Sequence, residues 1–154
     1  MAKNGAGYSL VELIIIVIFL GIFAAVAVPR LNYAIITKQK GDTVARKIIT
    51  DLRRTRSLAI SDAANNAEGY ELKTVGSVPY TAYEIENIDT HATVESYTVD
   101  SGITISCTSG HRFKFGPLGN LKTGSGSDLT VSADGKSYTI TIVPATGAAK
   151  CVEN

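Results

Sequence analysis

The amino-acid sequence predicts an α+β protein in which a long N-terminal hydrophobic helix packs on a C-terminal antiparallel β-sheet domain. Three observations carry this reading. An apolar run from Leu13 to Val28 is closed by Pro29. Val44, Ile48, Leu52, Thr55 and Ala59 then recur at helical spacing, one stripe of a 3.6-residue period. From Gly69 onward, β-branched and aromatic residues are punctuated by turn formers, the pattern of short strands.

With 154 residues the chain has the size of one domain, or of one small domain carried on an extension. Fifteen Lys and Arg against 14 Asp and Glu give a net charge of +1. That balance excludes a bulk basic field for nucleic acid and the acidic excess of a disordered chain.

A helix crossing ~30 Å of hydrocarbon needs about 20 apolar residues, and Tyr8 to Pro29 supplies that length. Glu12 stands near the start of this run. A charge in hydrocarbon costs about 2.5 to 3.5 kcal/mol on insertion scales, so such a carboxylate marks a functional site with a partner to be found. Two rival readings are a secretory signal, with Lys3, an apolar centre from Leu13 to Phe23 and an A-x-A site at Ala25-Val26-Ala27, and a plain single-span anchor. Glu12 fits poorly inside a signal core and is an unexplained cost in a plain anchor.

The segment Gly7-Tyr8-Ser9-Leu10-Val11-Glu12-Leu13 resembles the processing junction of the type IV pilin superfamily, which includes the pseudopilins of type II secretion. The resemblance implies a leader, residues 1–7, removed after Gly7 by prepilin peptidase/N-methyltransferase. It implies N-methylation of Tyr8, which replaces the family's usual Phe. Glu12 would neutralise the Tyr8 amine of a neighbouring subunit, a pairing whose loss leaves the other charge buried alone. Residues 8–29 would form the transmembrane and filament-core half of the helix, 30–66 its amphipathic half and 67–154 the β-domain. The expected location is the bacterial inner membrane, single-pass with the β-domain in the periplasm, and then the filament. Its partners would be other subunits and inner-membrane lipid.

Ile35, Ile36, Ile49 and Leu58 broaden the stripe of the second half, while Lys38, Lys40, Arg46, Lys47, Arg53, Arg54 and Arg56 fall mainly outside it. A continuous helix from Tyr8 to Ala63 would be on the order of 80 Å long, so its front must project from so small a domain. Gly21, Pro29 and Gly41 are the expected bends, and Asn65-Asn66 and Gly69 the expected end. Leu52 to Ser61 is similar to the corresponding helix of H-type pseudopilins and FimT-like minor pilins. That likeness implies a minor pseudopilin of a type II secretion system or an equivalent minor pilin. The alternatives are a DNA-binding minor pilin for natural transformation and a major pilin. Arg53, Arg54 and Arg56 could touch phosphates, but a solvated helix face explains them better. The FimT-like receptors carry a basic motif near the C-terminus, where this chain has only Lys150.

Strands are expected over Tyr70–Val75, Tyr80–Ile88, Val94–Val99, Ile103–Cys107, Arg112–Phe115, Leu129–Ser132, Ser137–Val143 and Ala148–Val152, with a hairpin at Asp134-Gly135. Alternation places Phe113 and Phe115 on one core face. Cys107 and Cys151 both lie in the half that an anchor would export, where two cysteines most often pair. Such a loop would stabilise by about 4 kcal/mol; two free, buried thiols are the other reading. His91 and His111 lack metal-site spacing, and Glu84, Glu86 and Asp89 lack the glycine turn and terminal glutamate of an EF-hand. No nucleophile stands with a base, and no cofactor motif is present. The chain reads as an assembly protein without catalytic or metal-binding residues or a cofactor.

Overall fold

The computed structural model describes residues 9–27 and 33–154. The chain divides into two compact units, Met1–Tyr33 and Ala34–Asn154. The expected spine is seen as two helices, α1 (Leu10–Ala27) and α2 (Tyr33–Ser61). Pro29 lies outside the described residues, whereas Gly21 and Gly41 sit inside helices.

Along α2 the predicted stripe is the buried face: Val44, Ala45, Ile48, Leu52, Thr55 and Ala59 are all buried. The Thr55 hydroxyl donates to the Asp51 carbonyl one turn back at 2.7 Å, so its polar atom adds no cost to the core. Ile49 and Leu58 pack at the margin of the core. Ile35 and Ile36, expected in the stripe, are exposed instead. They stand in the first turn of α2, before its packed stretch begins. Gly41 is a packing position: a Cβ there would come within 2.5 Å of the Ala133 side chain.

The helix stops at Ser61, and the Asp62 carbonyl accepts from the Asn65 and Asn66 amides at 3.0 and 2.9 Å. The buried Asn66 side chain then clamps Gly69, accepting from its amide at 2.6 Å and donating to its carbonyl at 2.9 Å. Gly69 has φ +90°, and a Cβ there would lie 2.0 Å from the Phe115 carbonyl oxygen, so only glycine fits.

Nine strands follow: β1 (Tyr70–Val75), β2 (Ala82–Asn87), β3 (Ala92–Thr98), β4 (Ile103–Cys107), β5 (Arg112–Phe115), β6 (Leu121–Thr123), β7 (Leu129–Ala133), β8 (Lys136–Val143) and β9 (Ala148–Glu153). They form two antiparallel sheets, ordered β3-β2-β1-β5-β6 and β4-β7-β8-β9. All eight expected strands are present within a few residues of their expected bounds. The three-residue β6, too short for a periodic signal, was not foreseen. Asp134 and Gly135 both take positive φ, 46° and 79°, in the two-residue β7–β8 turn. Phe113 and Phe115 are fully buried on the same face, and one core joins α2 to both sheets.

Candidate functional site

The segment with the strongest sequence signal is α1. Its residues are apolar around the whole circumference apart from Glu12 and Gly21, and every described side chain from Ser9 to Ala25 is exposed. Leu10 keeps 75% of its surface and even Ile14, Ile15 and Ile16 keep 47%. A helix that is oily on all sides is stable only when something surrounds it. Among the described residues of its own unit nothing does so. The helix has 18 residues, about 27 Å at 1.5 Å per residue. Among the described residues no helix is long and apolar enough to cross a membrane. The span expected over Tyr8–Pro29 is thus described only in part, and Gly7 and Tyr8 lie outside the described residues.

The Leu13 amide donates to the Ser9 carbonyl at 3.1 Å, which makes Ser9 the residue that heads α1. Glu12 accordingly occupies the first turn. Ser9-x-x-Glu12 is the sequence pattern of a capping box, a signal missed in the sequence reading. It offers the carboxylate a favourable position at the positive end of the helix dipole. The charge therefore stands at the entrance to the apolar stretch and not in its middle.

The basic run on α2 is largely committed within the domain. Arg54 pairs with Glu95 on β3, and Arg56 Nε donates to the Gly119 carbonyl at 3.1 Å. Arg53 alone of the three has no partner among the described residues. Beside them Asp51, 4% exposed, accepts from the Tyr83 hydroxyl at 2.6 Å and the Lys47 ammonium at 3.1 Å. Burial first, and then this bond to Asp51, push the Tyr83 hydroxyl far above its ordinary range. The triad fastens α2 to β2.

The cysteines correct a prediction. Cys107 on β4 is opposite Leu129 on β7, Leu129 opposite Ile140 on β8, and Ile140 opposite Cys151 on β9. Both thiols are free and sit in one row with two strands between them. Three inter-strand steps of about 4.8 Å separate the backbones by ~14 Å, whereas a disulfide tolerates a Cα separation of at most about 7 Å. Burial raises both thiol pKa values, which keeps them protonated.

Glu84 and Glu86 are held by Lys73 on β1, and His91 Nδ1 lies 3.0 Å from Glu86. The hydrogen bond from Lys73, and then that from His91, lower the Glu86 pKa. Asp89 accepts from the Ala67 and Glu68 amides at 2.9 and 3.3 Å, holding the turn that enters β1. These carboxylates are spent on structure. Among the described residues no group of three or more His, Cys, Asp or Glu could hold a metal ion. His111 contributes its carbonyl to the Thr74 amide at 2.9 Å.

No protein-family model and no curated protein sequence matches the chain. Solved structures do. A crystal structure of the Pseudomonas aeruginosa type IV minor pilin FimU superposes with TM-score 0.59 at 14% identity, over 72% of this chain and 91% of that one. A second crystal form of FimU gives TM-score 0.62 at 13% identity, over 75% and 90%. The chain has a type IV pilin fold. In this pilin fold a helix stripe seats on antiparallel strands, as the α+β expectation required.

Proposed function

We propose that this chain is a minor subunit of a type IV pilus or of the related pseudopilus, and that it assembles through α1. The observation that carries this reading is the exposed surface of α1, apolar on all sides from Leu13 to Ala25. Identical or related helices bundled in a filament core would bury that surface. Likeness to the minor pilin fold supports the reading. Before assembly, residues 8–29 hold the chain in the bacterial inner membrane with the β-domain in the periplasm. Prepilin peptidase/N-methyltransferase removes residues 1–7 after Gly7 and methylates the amine of Tyr8. Glu12 then meets that amine on a neighbouring subunit. Within this class we favour an H-type minor pseudopilin of type II secretion, on the likeness of Leu52 to Ser61. The DNA-receptor alternative is weakened because Arg54 and Arg56 are already engaged.

Mass spectrometry of the membrane-extracted protein tests the reading. An N-terminus of N-methyl-Tyr8 is expected; a chain starting at Val28 would identify a secreted protein instead. Glu12→Ala should abolish incorporation into sheared filaments and leave the folded β-domain intact. Normal incorporation would remove Glu12 from the mechanism.

A further inference from the structure

The two sheets present four outer edges, and three of them are closed or blunted. On β4 the Ile105 amide and carbonyl bond Tyr80, at 3.1 and 2.8 Å. On β6 the Leu121 amide donates to the Pro144 carbonyl at 3.0 Å. On β3 the register shifts opposite Ile85/Glu86, and Glu95 is committed to Lys47 and Arg54. Bulges and inward charges are the usual protections of a free edge. The fourth edge, β9, pairs with β8 over six consecutive residues without a bulge and contains no proline.

The phase of the β8 ladder shows which β9 groups are free. The two-residue turn makes Ala133 and Lys136 a hydrogen-bonded pair, so alternate β8 residues from Lys136 serve β7 and those from Ser137 serve β9. The Asn154 amide donating to the Ser137 carbonyl at 2.9 Å agrees. The amides and carbonyls of Ala149, Cys151 and Glu153 therefore point away from β8 along the open edge. At the Glu153 end lies a groove of about 470 Å³ between α2 and the β8–β9 pair, walled by Lys136, Tyr138 and Glu153 and continued past Ile49 and Cys151 towards Arg53. Its carboxylates, Asp42 and Glu153, are already bound by Arg46 and Lys136. Among the described residues the Lys38 ammonium and the Arg53 guanidinium on α2 have no partner, nor does the Lys150 ammonium on the opposite face of β9.

We infer that β9 is an acceptor edge for strand addition by an extended, carboxylate-bearing segment of a partner polypeptide. Backbone pairing to Ala149, Cys151 and Glu153 supplies the register, and the unpaired cations select acidic side chains. This inference stands on the Ala34–Asn154 unit and is independent of the role proposed for α1.

Cys151 provides the measurement. The full chain in detergent is treated with a maleimide, and the labelling rates of Cys151 and Cys107 are followed by peptide mapping. The probe is the synthetic peptide Thr-Glu-Val-Glu-Val-Thr with blocked ends. At ten times its dissociation constant, Cys151 labelling should slow about tenfold while Cys107 is unchanged. Arg53→Ala should weaken the protection about two- to fivefold, the size of one exposed ion pair. A backbone N-methylated peptide, which cannot form the ladder, should give none. The proposal is overturned if Cys151 is unprotected at saturating peptide, if Cys107 slows equally, or if the N-methylated peptide protects as well. It is also overturned if protection appears with rising chain concentration and no peptide, because the occupant is then a second copy.

Discussion

Helices α1 and α2 are made from the same aliphatic residues and have opposite fates. In α2 the Val44–Ile48–Leu52–Thr55 stripe is narrow, is flanked by charges and is buried by strands of the same chain. In α1 the aliphatic side chains run all round and remain exposed. A stripe can be satisfied by one domain, whereas a fully apolar cylinder needs partners on every side. The partner of α2 is therefore within the chain, whereas the exposed surface of α1 is the one we propose to be covered by lipid or other subunits.

The largest expected effect tests that contrast directly. Leu52→Ala should lower the stability of the Ala34–Asn154 unit by about 3 kcal/mol, the usual cost of a buried leucine truncation. Ile16→Ala, in α1, should leave the unfolding midpoint of that unit unchanged. Urea titration of the full chain in detergent, followed by tyrosine fluorescence, measures both. Equal shifts would break the comparison.

Next in size is Asp51→Asn, which removes the charge that receives Tyr83 and Lys47. A loss of about 1 to 3 kcal/mol is expected in the same titration, because the buried groups keep a weaker acceptor. No loss would mean that the triad contributes nothing to seating α2.

The smallest effect depends on pH. The carboxyl of Glu86 has a lowered pKa in the folded protein, so its contribution is present above the unfolded value near 4.3 and is lost as pH falls through the folded one. Glu86→Gln should cost about 1 kcal/mol at pH 7, and the gap between variant and natural chain should close below pH ~4. A gap that stayed constant to pH 3 would show that charge is not what Glu86 contributes.

Much of this fold was legible because the information is local. Helical spacing exposed the buried stripe from Val44 to Ala59, and period-two alternation exposed Phe113, Phe115 and the β8 strand. Asp134-Gly135 named its own turn. The strongest candidate site residue, Glu12, was equally legible from its setting in an oily run. Its place in the first turn of α1, with Ser9 at the head, gives a physical reason for tolerating it there.

What the sequence by itself determined is the set of elements and the apolar surfaces they carry, since both follow from neighbours within a turn or two of chain. Tertiary structure decided everything that depends on which strand lies next to which. It placed Cys107 and Cys151 on opposite outer strands and so precluded their bond, left Ile35 and Ile36 outside the core, and engaged Arg54 and Arg56 with Glu95 and Gly119. It also made β9 an open edge. The physical reason is that strand order is set by pairing and packing between distant residues, and no local period records it.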